Sequence, residues 1–242
     1  MTRVSGHDVE TMNQHEEPRT ITLAPDVAGK VRIAVVRAEP VVAAPAGPGL
    51  DAEIARVCGT LAAQYAGRAP GEIPGLTPAR DLYKAFGIDP TRRRPSSEAL
   101  LRRILQAKPF PKILGPVDVC NLCAVEFLLP IGLYDLGKIR PAVTLRRGLP
   151  GEAYPGIRKE DVHLEGNPVL SDAEGAFGNP TSDSLRASVT ESTRALWMII
   201  FAPASYPAAA LRAHAARAEA LIAGHLAPAG ATIATSSLLL PE

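Results

Sequence analysis

Breaks in the chain are what most limit the folds open to this sequence. It carries 23 Pro and 20 Gly in 242 residues, so long uninterrupted helices should be few and the regular elements short. Between the breaks, apolar residues recur in two rhythms. Residues 21–23 and 31–36 are β-rich runs, separated by Pro25-Asp26 and Gly29. Residues 51–66 instead place Ile54, Val57, Cys58 and Leu61 at helical spacing.

Further along, the spacing predicts a second helix from Thr77 or Pro78 to Phe86, stopped by Gly87. A third should open at Ser96, a favoured N-cap, with Glu98 suited to the positive end of the helix dipole. Leu100, Leu101, Ile104 and Leu105 form its buried stripe. Residues 195–201 read as a buried strand from their Trp, Met, Ile and Phe content. Pro207 and Gly224 bracket an Ala-rich last helix. Helices and strands do not alternate strictly, which favours α+β over a doubly wound sheet. Residues 1–18 are polar and without periodicity and read as a disordered tail, leaving residues 19–242 as one domain.

The central passage holds the densest local signal. Val117-Asp118-Val119-Cys120-Asn121 reads as a buried strand ending in polar groups, with Asp118 and Asn121 on opposite faces. Nine residues on, Pro130-Ile131-Gly132-Leu133-Tyr134-Asp135 closes on a Tyr-Asp pair. A polar turn follows at Asn179-Pro180-Thr181-Ser182-Asp183-Ser184-Leu185-Arg186, with Thr190 and Thr193 beyond it. It reads either as a capped turn or as a ligand-facing loop.

Charge and cysteine usage narrow the function classes. The net charge is +1, which argues against wholesale electrostatic capture of nucleic acid. An RNA partner would be held by local patches such as Arg92-Arg93-Arg94, Arg102-Arg103 and Arg146-Arg147. Cys120-Asn121-Leu122-Cys123 is formally a CxxC. On a strand end, without a second pair, it reads as two small buried hydrophobes rather than a redox or zinc site. No phosphate loop, Gly-x-Ser-x-Gly, dinucleotide fingerprint or His-Glu-x-x-His occurs. No cofactor and no metal are expected. Three cysteines without a secretory signal, and no apolar run long enough to span a bilayer, point to a cytoplasmic protein without a membrane partner.

Taken together, these motifs resemble the B3/B4 domain, the module that edits misacylated tRNA in the β subunit of phenylalanyl-tRNA synthetase. The synthetase version reads Val-Asp-x-Thr-Asn and then Pro-x-His-x-Phe-Asp. The likeness is stronger to free-standing members. Their patterns are matched by Tyr83 to Pro90, Arg94 to Leu100, Leu129 to Asp135, Gly151-Glu152 and Pro180 to Arg186. Where the synthetase carries Thr, this chain has Cys120, and where it carries its pocket His, this chain has Gly132.

The resemblance implies an α+β fold, a β-sandwich-like core with flanking helices. It also implies hydrolysis, in trans, of the ester joining a wrong amino acid to tRNA, in a sieve-like pocket. Asn121 is the expected catalytic group. Cys120, Gly132, Asp183, Ser184 and Thr190 are expected to bind substrate, with Gly132 leaving room where a His would stand. Arg92, Arg93, Arg94, Arg102 and Arg103 are expected to bind aminoacylated tRNA; DNA is not an expected partner. Two other classes share this reading of the residues. One is a non-catalytic module binding an amino acid, RNA or protein. The other is a hydrolase or transferase acting on a small ester or amide.

Overall fold

The computed structural model describes residues 20–157 and 160–241; the tail expected at 1–18 lies outside the described residues. Two four-stranded sheets form the centre. One has the order β1-β4-β7-β8, built from β1 (Ile21–Leu23), β4 (Val143–Arg147), β7 (Pro168–Asp172) and β8 (Gly175–Gly178). The other, β10-β2-β9-β3, comprises β2 (Val31–Glu39), β3 (Ile131–Asp135), β9 (Leu196–Pro203) and β10 (Ala234–Leu240). A small hairpin pairs β5 (Ala153–Pro155) with β6 (Asp161–His163).

The second sheet is apolar on both faces, and the alternation of its strands decides what each face covers. Ile33, Val35, Tyr134, Trp197, Ile199 and Phe201 pack against Ile21, Val143, Leu145, Leu170 and Phe177 of the first sheet. Ala34, Val36, Ile131, Leu133, Met198 and Ile200 point the other way, into the helices. Every residue of β9 is buried, as a strand sandwiched between two layers requires. Each such Ile or Phe contributes about 1.5–3 kcal/mol by leaving water.

The helical layer holds α1 (Pro48–Gln64), α3 (Ser96–Leu105), α4 (Gly115–Phe127) and α5 (Ala208–His225), while α2 (Thr77–Ala85) contributes Leu82 and Tyr83 to the core between the sheets. The architecture is α+β. The two longest helices have 17 and 18 residues, and the rest are short, as the density of breaks dictates. Ser96 is the first helical residue of α3 rather than its cap; Pro95 stands at the cap position with extended backbone. Among the described residues no helix is long and apolar enough to cross a membrane.

One expectation fails outright. Residues 117–121 are not a strand but part of α4, opened by Gly115 and by Pro116 near its N-terminus. The helix is buried on nearly every side, from Gly115 to Phe127, so no polar face exists to reveal its period. The CxxC accordingly lies inside a helix, not at a strand end. Asp118 and Asn121 stand one turn apart on that helix instead of on opposite faces of a strand.

Candidate functional site

Four residues of α4, at i, i+3, i+4 and i+7, form one wall of a cavity of about 350 Å³: Val117, Cys120, Asn121 and Ala124. Ile131 and Leu133 of β3 supply a second apolar wall, and Ile113, Leu114 and Val189 extend it. Polar groups come from Asn121 on α4 and from one loop, residues 179–183, with Ser96 and Ser188 also lining the cavity. Asp183 is the only lining residue with a charged side chain among the described residues.

That loop is fastened from below. Asn179 Oδ1 accepts from the backbone N–H groups of Thr181 (2.7 Å) and Ser182 (2.9 Å), closing an Asx turn. Asn179 Nδ2 donates to Tyr154 Oη at 3.0 Å, and Tyr154 in turn donates to the Ser182 carbonyl at 2.6 Å. Tyr83 Oη donates to the Pro180 carbonyl at 3.1 Å and bonds to Thr181 Oγ1 at 2.9 Å. Three buried side chains thus fix the backbone that presents Asp183.

Asp183 meets the edge of β3, where the Leu133 N–H donates to its Oδ2 at 3.3 Å. Its Oδ1 is shielded from solvent and has no partner of regular hydrogen-bond geometry. Burial pushes the carboxyl up to about 7, against the pull of the Tyr134 hydroxyl and of the backbone N–H groups of Leu133 and Asn179. The group therefore changes charge near neutrality, where a general base is most effective. The side chain of Asn121, half-buried on the helical wall, makes no hydrogen bond with the described residues. Its amide is left free for a ligand, as donor and acceptor.

Both cysteines of the CxxC are buried, and burial drives both thiols upward, Cys120 further under the influence of Cys123 and Asp183. Burial keeps both thiols protonated near neutrality, so neither is poised as a nucleophile. Among the described residues no group of three or more His, Cys, Asp or Glu side chains could hold a metal ion.

The structure thus gathers Cys120, Asn121 and Asp183 at one cavity. The other expected substrate residues lie elsewhere. Ser184 is buried behind the loop, its Oγ accepting from the Ala187 N–H at 3.3 Å. Thr190 is exposed and bonds to Ser192 Oγ at 2.9 Å. Gly132 faces away from the cavity, and the room it was expected to leave is filled. A Cβ there would collide with the hydroxyl and ring of Tyr134, two residues on along the same face of the strand. Sequence reasoning placed Asn179 in a polar turn without giving it a part in the site, and gave none to the side chains of Tyr83 and Tyr154. The Asn-Pro dipeptide was the available signal for the Asx turn, but nothing local marks the two tyrosines that support it from distant elements.

The arginine clusters divide. Glu98, almost wholly buried on α3, is held bidentately by Arg80 at 2.9 and 3.0 Å and lies 3.6 Å from Arg94 and 4.0 Å from Arg102. Three guanidinium groups share one carboxylate, leaving an excess of positive charge beside Ser96 at the cavity margin. Arg93 donates to Asn167 Oδ1 at 3.3 Å and Arg103 to the Pro109 carbonyl at 2.9 Å, while Arg92 is exposed, 3.8 Å from Asp89. Arg146 pairs with Glu152 at 2.6 Å, and Arg147 donates to the carbonyls of Gly166 and Phe86; both are committed to the fold.

A family model described as B3/4 domain matches residues 78–221, more than half of the chain. The chain belongs to the B3/4 domain family. The match takes in α4, β3 and the loop of Asp183, the three elements that build the cavity. Among solved structures, the chain is similar to an N-terminal fragment of the phenylalanyl-tRNA synthetase β-subunit from Pyrococcus horikoshii. The identity is 14% and the TM-score 0.44, over 92% of this chain and 54% of that one. This B3/4 chain therefore spans about half the length of that fragment. No curated protein matches it.

Proposed function

We propose that this B3/4 protein hydrolyses the ester between an amino acid and tRNA, acting in trans and in the cytoplasm, with residues 19–242 as one working unit. The observation that carries this reading is the pairing, in one largely apolar cavity, of a carboxyl with one oxygen shielded from solvent and an unengaged amide. The cavity is of a size suited to a small ligand. Membership of the family is consistent with an aminoacyl ligand, and the surplus positive charge around Glu98 lies where an RNA backbone could approach.

In the proposed reaction, the Asp183 carboxylate removes a proton from water as its oxygen attacks the ester carbonyl. The Asn121 amide N–H receives the negative charge developing on the carbonyl oxygen. The tetrahedral species then expels the ribose oxygen, which takes the proton back from Asp183. Free amino acid and intact tRNA are left. An aminoacyl ester is already activated, so a positioned base and one donor suffice and no enzyme nucleophile is needed. Cys120 contributes wall rather than chemistry.

The test is release of labelled amino acid from a panel of mischarged tRNAs. Turnover that depends on Asp183 supports the proposal. Salt-sensitive tRNA binding without turnover would favour a binding module of the same fold. Hydrolysis of small esters or amides with no effect of tRNA would favour a small-molecule hydrolase.

A further inference from the structure

Tyr134 is fully buried, yet its hydroxyl has no partner of regular hydrogen-bond geometry. A buried, unpaired hydroxyl costs about 1–3 kcal/mol, so its placement calls for a reason. Two glycines make the placement possible. A Cβ at either Gly132 on the same strand or Gly178 at the end of β8 would run into the Tyr134 ring and hydroxyl. Phe177 holds the ring edge-on, with centroids 5.2 Å apart. The phenol therefore occupies a slot that exists only because two side chains are missing, and the slot ends at Asp183. There the hydroxyl lies against the carboxyl and stabilises its charged form, while Asp183 Oδ1 is likewise without a regular partner.

We propose that Tyr134 is a positioning residue for Asp183: its hydroxyl, seated over Gly132 and Gly178, holds the carboxyl at the cavity wall and sets how readily it ionises. The other titratable groups facing Asp183 are Tyr154 from β5 and Cys120 from α4. Both are neutral near pH 7, since burial raises each of them. Neither adds a charge that could mimic the effect of Tyr134.

This role for Tyr134 rests on Asp183 being the working base, but it can be tested without any substrate. In protein labelled with ¹³C at the Asp carboxyl and Tyr Cζ carbons, Asp183 (assigned by its loss in Asp183→Asn) should titrate near neutrality. The Tyr134 Cζ resonance should follow the same midpoint although the phenol itself stays protonated. Tyr134→Phe, which removes only the oxygen, should raise the Asp183 midpoint by about one pH unit. Any deacylation measured should show its acidic limb displaced by the same amount. An Asp183 midpoint unchanged in Tyr134→Phe would overturn the inference. If that variant does not fold, a wild-type Tyr134 Cζ resonance indifferent to pH between 5 and 9 would do so equally. Coupled titrations without any ester turnover would leave Tyr134 in place and sink the hydrolase reading alone.

Discussion

The backbone N–H of Leu133 donates to Asp183 Oδ2 at 3.3 Å, tying the edge of β3 to a loop fifty residues further along the chain. This bond places a carboxylate at the rim of a strand whose one face lines the cavity and whose other face carries Tyr134. It makes Asp183 sensitive to both sides, and the consequences are measurable.

Stability should depend on the charge of Asp183. Its carboxyl is raised to about 7 in the folded protein from an ordinary value of 3.8. Between those values the folded state binds more protons than the unfolded one, so stability falls as pH rises from about 4 to 7 and then levels off. Asp183→Asn should therefore be more stable to unfolding than wild type at pH 8, by about a few kcal/mol at most. The gain should shrink toward pH 4. A pH-independent difference between the two proteins would show that Asp183 is not held in this way.

Asn121→Ala should leave the fold intact, because the amide makes no internal hydrogen bond, yet slow deacylation on the order of 10²-fold, as for losing one transition-state donor. Affinity for uncharged tRNA should be unaltered. Normal turnover in this variant would put the reacting carbonyl elsewhere in the cavity.

Gly132 gives a sharper expectation than its sequence suggested. Gly132→Ala should destabilise the protein by about 1–3 kcal/mol, since its methyl group must displace the Tyr134 ring. Unfolding in denaturant provides the measurement. A neutral effect would mean that the ring has room to move aside.

The thiols should be inert. In native protein, a thiol reagent should modify Cys58, which is half-buried, well before Cys120 or Cys123. Replacing Cys120 by Ser and Cys123 by Ala together should keep activity within several-fold. Stoichiometric zinc in the purified protein would contradict this assignment.

Reversing Arg92 and Arg94 to Glu should weaken tRNA binding and reduce its salt slope by about one for each phosphate no longer neutralised. Arg80 is the internal control. It is bound bidentately to Glu98, so its removal should lower stability as well as tRNA affinity. An unchanged salt slope in the Arg92/Arg94 variant would make that patch ordinary solvated surface.

Much of the fold is legible in the sequence where elements have one wet face or strong composition. The stripe of α3, the Trp-Met-Ile-Ile-Phe run of β9 and the Ala-rich α5 all follow from periodicity and residue type. The passage 117–121 misleads because α4 is buried on nearly all sides. Val117 and Val119 flanking Asp118 then imitate strand alternation, and only Gly115-Pro116 betrays a helix start. β10, whose exposed residues outnumber its buried ones, shows no apolar alternation, and its place in the sheet comes from backbone pairing with β2 and from Leu239 and Leu240 packing on the two cores. At the site, Asn121, Cys120 and Asp183 stand out in the sequence because their motifs are compact. The slot of Tyr134 does not, since it needs Gly132 and Gly178 to meet across two sheets.

Whether Asp183 is the working base is decided by single-turnover deacylation of mischarged tRNA, comparing wild type with Asp183→Asn across pH 5–9. The wild-type rate should climb through a midpoint near 7 and then level off. Asp183→Asn, still folded and still binding tRNA, should be slower by about 10²-fold or more and should show no such pH dependence. A folded Asp183→Asn protein that deacylates at the wild-type rate with the same pH profile would contradict a catalytic Asp183.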